Sequence, residues 1–575
     1  MKKLLLLCLL GGVCLFSNEL SAQNIVADPP GTNFLHRFMS LRGGETRSDL
    51  FSKGFSLIDD SISLGQEGDS PSARMGKAAP VLIYGEFMGM IPDKEVYLYT
   101  WPRYTGNGFI YQESTKQEVS LDRPTLQRGG AGEVRRIFNA SSPSYMDPFY
   151  FLLRDEDTRL TSHFLAFPGD SLMLRWYRFT NRVSFSGPQA KQFELQHVLA
   201  GLTASSKYTT AQNIIVKDRE KFLAEYNPKG ELEAAKKQLG RHLEVVVMGK
   251  EELDLLEHSM GDREFADQVE RMVEAYREDI PATRLALIQT DVLSNHYALQ
   301  AESLSRLLIR FPEWLKEAET AGRITDMLTD LDQKLKSKTV PQALVTSGYI
   351  EFWYHYSEAS ASAAGIDFFD WIVSQEAGLP RDVLFENYLL RKERRLPDFD
   401  EKLGLIAIEV KDPVIKARIL GIQANKSAGA TISSSPLLNS EGNPISLTDY
   451  PDQVMLLEFW APGCGASKTF YEKIMKGLHE RFQGEERLQL VSIGVDVPEG
   501  TLDSFLGEYY SDSGINLQAE DTTPPLLTQL GIRSYPSFVL VGRDSRLLKV
   551  SGFPDNDPKA WVKLLEETLN NEFKD

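Results

Sequence analysis

Residues 454–467 read VMLLEFWAPGCGAS. The first seven letters are almost continuously apolar, which is typical of a central strand covered on both faces of a sheet. A Pro-Gly pair then signals a turn, and Cys464 stands where a helix that runs to about Phe482 begins. Unpaired backbone N–H groups and the helix dipole favour an anion at such a position. The stretch therefore predicts a strand, a turn and a helix that together present one sulfur.

The residues around this stretch alternate strands and helices over 426–575. LQLVSIGV at 488–495 is typical of a second, parallel strand, and TLDSFLGEYY at 501–510 is typical of a helix. SFVLVG and LLKVSGF then predict a hairpin that precedes a final helix. The predicted order is βαβα followed by a hairpin and a helix, which describes an α/β domain.

Three separated motifs of this region resemble one known family. LLNSEGNPISLTDYPDQVMLLEFWAPGC, VSIGVD and LGIRSYPSFVLVGRD occur in the order seen in the TlpA-like, exported branch of the thioredoxin superfamily. The resemblance implies a thioredoxin-like fold for residues 426–575 and thiol–disulfide oxidoreductase chemistry. It also implies a cis-proline at Pro536, with Trp460, Tyr535 and Pro536 as substrate-binding residues.

The candidate redox site departs from the family pattern at two positions. Family members usually carry Trp-Cys-x-x-Cys, whereas this chain has Gly463 before Cys464 and Ser467 in place of the second cysteine. A dithiol enzyme uses its second thiol to release a mixed disulfide with the substrate. A serine cannot carry out that step, although the Ser467 hydroxyl could donate a hydrogen bond to the Cys464 thiolate from the same helix face.

Glu458 is the one charged residue of the predicted strand. An unpaired carboxylate is costly to bury, so a buried Glu458 would have a raised pKa or a polar partner. In thioredoxins, an acid at the matching position moves a proton for the second cysteine, which is absent here. The alternative is a glutamate at a strand edge that reaches water. The sequence leaves both interpretations open.

The rest of the chain divides into four predicted segments. Residues 1–22 have two lysines, a short apolar run and a small-residue cleavage site, which is the pattern of an export signal; lipid attachment at Cys14 is the disfavoured alternative. Residues 23–76 are rich in Gly, Ser, Asp and Pro and are typical of a lead-in. Short aromatic and β-branched runs predict an antiparallel β-sandwich over 77–187, and helical periodicity predicts a helical domain over 188–425. The predicted fold class is multidomain, α+β and α/β.

Composition limits the possible partners and cofactors. The 575-residue chain has a formal net charge of −18, which would repel a nucleic acid backbone. It contains no metal-binding, phosphate-binding or nucleophile-elbow motif, so no cofactor is expected. After removal of the signal, no transmembrane segment is predicted. Cys8 and Cys14 leave with the signal, so Cys464 would be the only thiol of the exported protein.

Two functional hypotheses follow for the C-terminal domain. In the first, Cys464 performs monothiol thiol–disulfide exchange, assisted by Ser467 and Glu458, in the periplasm or cell envelope. Its partners would be exported proteins or peptides that bear thiols or disulfides, and an external thiol reductant would complete release. In the second, the domain is a redox-inactive binding or scaffold module that has kept the groove beside Pro536. The first is favoured because the lone sulfur occupies the position at which this fold activates sulfur.

Overall fold

The computed structural model of the chain describes residues 77–89, 95–102, 114–122, 135–155, 159–177, 180, 182–209, 212–226, 230, 243–336, 346–498, 500–519 and 525–574. The predicted signal peptide, the possible lipid site at Cys14 and the lead-in over 23–76 lie outside these residues. Within them, no helix combines the length and the apolar character needed to cross a membrane.

The first part of the described chain consists of two β-sheets. Its strands are β1 Leu82–Met88, β2 Val96–Trp101, β3 Thr115–Val119, β4 Leu121–Asp122, β5 Arg135–Ser141, β6 Phe149–Asp155, β7 Phe164–Ala166, β8 Ser171–Tyr177 and β9 Arg182–Ser186. One sheet has the order β4-β5-β1-β8-β9 and the other has the order β3-β2-β6-β7. Phe87 and Trp176 of the first sheet share one buried core with Phe151 of the second. The predicted sandwich is confirmed.

One strand pair differs from the predicted antiparallel arrangement. β1 runs parallel to β8, with Ile83 opposite Leu172, whereas β1 is antiparallel to β5. A parallel pair needs a long connection and cannot be joined by a tight turn. A strand-by-strand interpretation of the sequence does not reveal such a pairing. The first sheet is therefore mixed.

The middle of the chain is mainly helical. Its helices are α1 Ala190–Thr209, α2 Arg219–Tyr226, α3 Lys250–Gly261, α4 Glu264–Glu274, α5 Ala282–Arg310, α6 Ala318–Lys336, α7 Ser347–Ala364, α8 Phe368–Ser374, α9 Leu379–Lys392, α10 Phe399–Glu409 and α11 Pro413–Lys426, with short 3-10 turns at Pro312–Lys316 and Glu393–Arg395. Local chemistry sets some of these helix starts. At α11, the Asp412 side chain accepts hydrogen bonds from the N–H groups of Val414 and Ile415, and Pro413 fills the first helical position.

Two short strands interrupt the region that the sequence predicted to be helical. β10 Gln212–Val216 pairs in parallel with β11 Leu243–Val247. Residues 232–247 of the predicted helical domain read LEAAKKQLGRHLEVVV, and the last five of them form β11; the preceding residues of the stretch lie outside the described ranges. Three consecutive valines are β-branched and suit a strand, so that part of the prediction was wrong.

The C-terminal part contains a seven-stranded mixed sheet flanked by helices. Its elements are β12 Leu437–Leu438, β13 Pro444–Ile445, β14 Val454–Trp460, α12 Gly465–Phe470, α13 Lys476–Arg481, β15 Leu488–Gly494, β16 Ile515–Gln518, α14 Pro525–Leu530, β17 Ser537–Val541, β18 Leu547–Lys549 and α15 Pro558–Glu572. The strand order is β13-β12-β16-β15-β14-β17-β18. A π-helical segment, Tyr471–Met475, joins α12 to α13, so the helix predicted from Cys464 to about Phe482 is confirmed. Only a 3-10 turn, Leu502–Phe505, occupies the stretch that was predicted as a helix at 501–510.

Apolar side chains cover both faces of this sheet. On one face, Leu457 belongs to a core cluster that includes Leu526 of α14. On the other face, Leu456 belongs to a cluster with Ile474, in the helical run after Cys464, and Trp561 of α15. Because side chains alternate along a strand, Glu458 shares the face of Leu456. The acid therefore lies on the face covered by the helix that begins at Cys464, in a domain with the predicted α/β architecture.

Candidate active site at Cys464

Cys464 lies between the turn that follows strand β14 and the helix α12. It is the N-cap residue of α12, and its backbone N–H donates to the Ala461 carbonyl at 3.2 Å. Gly463 precedes it with φ of +76°, a left-handed conformation that glycine adopts at little cost. The thiol is free and partly exposed. The loop therefore presents the sulfur at the start of a helix, as the sequence predicted.

The sulfur faces the loop that contains Pro536. Cys464 Sγ lies 3.6 Å from the carbonyl oxygen of Tyr535, to which the thiol donates. The Tyr535–Pro536 peptide bond is cis, which confirms that prediction. Burial, with a smaller contribution from Asp496, raises the pKa of the Tyr535 hydroxyl to about 12. Tyr535 and Pro536 are both partly exposed beside the thiol.

Ser467 occupies the buried side of the same helix. Its side chain is 1% exposed, and its hydroxyl oxygen has no hydrogen-bond partner within the described chain. The sequence predicted that the Ser467 hydroxyl could donate a hydrogen bond to the Cys464 sulfur. With Cys464 as a thiol, the two side chains do not form that bond. A hydroxyl buried without a partner is costly. Position 467 is thus buried, and its serine cannot resolve a mixed disulfide.

Glu458 is fully enclosed beneath the helix. It is 1% exposed, and neither carboxyl oxygen has a hydrogen-bond partner among the described residues. β14 is flanked by β15 on one side and β17 on the other, with Glu458 between Ser492 and Phe538. The alternative of a strand-edge glutamate that reaches water is therefore wrong. Burial raises the pKa of Glu458 from 4.5 to about 8, so its carboxyl group holds its proton at neutral pH.

Two further polar side chains continue the row that starts at Glu458. Ser492 of β15 is in register with Glu458, and Asn516 of β16 is in register with Ser492. Residues in register on neighbouring strands point to the same face of a sheet. Ser492 Oγ and Asn516 Oδ1 are buried without a hydrogen-bond partner in the part of the chain that the structure describes. A polar row thus extends from the acid across three adjacent strands.

Aromatic side chains support the turn before Cys464. Trp460, which the sequence predicted to contact substrate, is completely buried. Its ring stacks on Tyr509, with 5.0 Å between ring centroids, and the Tyr509 hydroxyl accepts a hydrogen bond of 3.1 Å from the Gly463 N–H. Trp460 therefore packs beneath the loop, and Tyr509 links this aromatic stack to the backbone next to the sulfur.

Tyr509→Phe should loosen this turn without disturbing the aromatic stack. The substitution removes the acceptor for the Gly463 N–H, and one such hydrogen bond contributes roughly 1 kcal/mol. We expect amide hydrogen exchange over residues 461–464 to become faster, as measured by mass spectrometry. Tyr510→Phe is the matched control, because the neighbouring hydroxyl donates to the Leu502 carbonyl instead. Equal acceleration at 461–464 in both variants would contradict the assigned role of Tyr509.

Two charged side chains near the thiol pair with each other. Lys468, one turn after Cys464, pairs with Glu508 at 2.8 Å, and both side chains are exposed. Over the described residues, no group of three or more His, Cys, Asp or Glu side chains is arranged to hold a metal ion. The chemistry that this part of the structure offers is that of one sulfur, one buried neutral acid and a nearby backbone carbonyl.

Solved structures that match this chain align with its C-terminal quarter. The thioredoxin domain of a thiol-disulfide oxidoreductase from Bacteroides vulgatus is 17% identical, with a TM-score of 0.21, and the match covers 25% of this chain and 98% of that one. A thiol:disulfide interchange protein from Bacteroides sp. is 18% identical, with a TM-score of 0.22 and coverage of 25% and 92%. No family model matches the chain, and no curated protein matches it. At these identities the likeness concerns the fold alone.

The sequence analysis did not find several residues of the site, among them Tyr509, Ser492 and Arg394. Tyr509 had a local signal, since it is one of two adjacent tyrosines that follow Phe505 and Leu506. Ser492 had none, because a serine within a buried strand is common. Arg394, which contacts the loop of Pro536 from the helical region, lies too far away in sequence to be found by any local pattern.

Proposed function

We propose that this protein is a monothiol thiol–disulfide exchanger whose reactive group is Cys464. The observation that carries the proposal is the placement of a free, partly exposed thiol at a helix start, facing the Tyr535 carbonyl. The buried neutral acid Glu458, on the sheet face beneath that helix, supports it. Helix starts stabilise thiolates, and the thiolate is the attacking species in exchange.

The reaction proceeds in two balanced steps. The Cys464 thiolate attacks one sulfur of a partner disulfide, forms a mixed disulfide, and expels the other sulfur as a thiolate that takes up a proton. A second thiol, supplied from outside the chain, is deprotonated and attacks the partner sulfur of the mixed disulfide. That step returns the Cys464 thiolate and forms a new disulfide between the partner and the second thiol. Ser467 takes no part as a nucleophile.

We extend the proposal to location and partners on the basis of the sequence. Residues 1–22 have the pattern of an export signal, so the exchanger acts in the periplasm or cell envelope, anchored by lipid only if Cys14 is modified. Its partners are exported proteins or peptides with thiols or disulfides, together with an external thiol reductant.

Covalent trapping tests the reaction. Because Ser467 cannot resolve a mixed disulfide, the full chain mixed with oxidised glutathione or cystamine, without added thiol, should accumulate an adduct that persists until a thiol is supplied. Intact-mass analysis and peptide mapping should place the added mass on Cys464, as distinct from Cys8 or Cys14. Cys464→Ser should abolish this adduct.

The opposite result would favour the second hypothesis. If Cys464 neither reacts with iodoacetamide at neutral pH nor accepts a disulfide, the exchange proposal is wrong. The C-terminal domain would then be a binding or scaffold module that uses the groove beside Pro536 without redox chemistry.

A further inference from the structure

The helical region contributes one side chain to the loop that faces the Cys464 sulfur. Arg394 lies in the 3-10 turn Glu393–Arg395. Its guanidinium donates to the Ser534 hydroxyl through Nη1 and to the Pro536 carbonyl through Nη2. Ser534 and Pro536 are the two neighbours of Tyr535, whose carbonyl faces the thiol. One arginine therefore holds both flanks of the residue opposite the sulfur.

The turn that carries Arg394 is itself fastened to the C-terminal domain. The Gly552 N–H donates to the Arg394 carbonyl at 3.2 Å, and the Ser551 hydroxyl donates to the Leu396 carbonyl at 2.9 Å. Gly552 has φ of +62°, and a Cβ atom there would overlap the backbone of Pro397. No larger residue fits at Gly552 without moving the turn.

An ion pair anchors the other side of the same turn. Glu393 pairs with Lys426 at 2.5 Å, and the Lys426 side chain is 9% exposed. Arg394 itself remains exposed. The guanidinium is thus presented from a fixed backbone on a surface that a partner can reach. A planar arginine fork that bonds two acceptors fixes their relative position better than a single point charge does.

We propose that Arg394 is a positioning residue for recognition of polypeptide substrates at Cys464. A substrate sulfur bonded to Cys464 must lie beside residues 534–536, so the chain on either side of the substrate cysteine passes over this loop. Arg394 holds the loop in the shape that accepts an extended polypeptide. A small disulfide reaches the sulfur without that support. The proposal rests on the exchange function and adds to it a residue of the helical region that favours extended polypeptides over small disulfides.

Two probes with the same leaving group separate recognition from thiol chemistry. One is a pentapeptide of alanines with a central cysteine that carries thionitrobenzoate; the other is the N-acetyl, methyl-amide derivative of cysteine with the same group. In both, the Cys464 thiolate attacks the cysteine sulfur and releases the thionitrobenzoate anion; its colour, less that released by the Cys464→Ser chain, gives the rate at Cys464. In the full chain, Arg394→Gln should slow the peptide reaction about tenfold, as expected from loss of a charge-assisted pair of hydrogen bonds. The rate with the small probe should stay within about twofold, since only the loop's shape is affected.

Matched variants make the result specific. Arg394→Lys should recover part of the peptide rate, because an ammonium can bond one of the two acceptors. Arg481→Gln is the control, since Arg481 is another exposed arginine of the C-terminal part, paired with Glu566 on the surface; its peptide rate should match the wild type. If Arg394→Gln slows both probes equally, or slows neither, the proposal is wrong.

The proposal and the exchange function fail in different ways. If the wild type reacts with the small probe, the exchange chemistry stands, and the peptide rates alone decide the role of Arg394. If the wild type reacts with neither probe, the exchange function fails. In that case, calorimetry measures the affinity of the wild type and of Arg394→Gln for the same pentapeptide with serine in place of cysteine. Weaker binding by Arg394→Gln supports the positioning role. Equal binding by both proteins, or binding too weak to detect, overturns it.

Discussion

Ser467→Cys should shorten the lifetime of a mixed disulfide on Cys464 by about two orders of magnitude or more. The introduced thiol lies within one helical turn of Cys464, so its attack on the Cys464 sulfur is intramolecular, and well-placed intramolecular groups gain effective concentrations far above those of a free thiol. That attack forms a disulfide within the chain and expels the partner as a thiolate. An external dithiol would then regenerate both thiols, so the variant should turn over as a reductase.

The local environment favours this substitution. The hydroxyl of Ser467 is buried without a partner within the described chain, and a thiol is less costly to bury than a hydroxyl. We therefore expect the variant to fold at least as well as the wild type. Adduct lifetime is measured by quenched mass analysis, and turnover is measured as reduction of oxidised glutathione coupled to a dithiol.

Ser492→Cys is the matched control for this experiment. Ser492 is also a buried serine, 3% exposed, on the same sheet face as Glu458, but it lies on β15 and not on the helix of Cys464. Adducts should stay long-lived in this variant. If Ser492→Cys shortens them as much as Ser467→Cys, or if neither variant does, the helical spacing of residues 464 and 467 is not what governs release.

Glu458→Gln should stabilise the C-terminal domain by a few kcal/mol at pH 8 and by almost nothing at pH 4. The Glu458 pKa is about 8 in the folded protein against 4.5 for an ordinary glutamate. The unfolded chain therefore loses this proton above pH 4.5, while the folded chain keeps it until about pH 8. The contribution of Glu458 to stability therefore falls as pH rises through that window, and it is constant outside the window. At about 1.4 kcal/mol per pH unit, the penalty reaches about 3 kcal/mol at pH 7.

Local hydrogen exchange is the suitable measurement, because a multidomain chain does not unfold in one transition. Exchange over residues 454–460 should be slower in Glu458→Gln than in the wild type at pH 8, and the difference should vanish at pH 4. Glu486→Gln replaces an exposed glutamate of the same domain and should change neither value. Equal protection of the wild type and Glu458→Gln across the pH range would show that Glu458 ionises normally.

A third variant separates the charge from the unpartnered oxygen atoms. Glu458→Met removes both and has a similar length, so it should stabilise the domain at pH 8 and also at pH 4, where glutamine gives no gain. The physical reason is that glutamine, like the protonated acid, leaves polar atoms buried without partners. A methionine variant that matches glutamine at both pH values would mean that Glu458 finds a partner after all.

Much of the C-terminal architecture could be read from short segments. The apolar run before Cys464, the Pro-Gly turn and the helical periodicity after it are local patterns, and each acts within a few residues of the backbone that it shapes. They placed the sulfur at a helix start and Glu458 in an otherwise apolar strand, but they left open whether Glu458 reaches water. The helix expected over 501–510 was not formed, because aromatic side chains there pack onto Trp460, and tertiary contacts override weak helical propensity.

The sequence by itself determined the central strand, the turn, the helix start, and a single sulfur without a resolving partner. Only the tertiary structure decided what surrounds that sulfur. It enclosed Glu458 between two strands, aligned Ser492 and Asn516 with it, placed Tyr509 under the turn, and brought Arg394 to a loop that is 140 residues away along the chain. The difference has a physical cause. Hydrogen-bonded turns and helix starts depend on neighbours in sequence, whereas strand register and contacts between domains arise when distant apolar surfaces are buried together, and no local pattern encodes which residues those surfaces bring into contact.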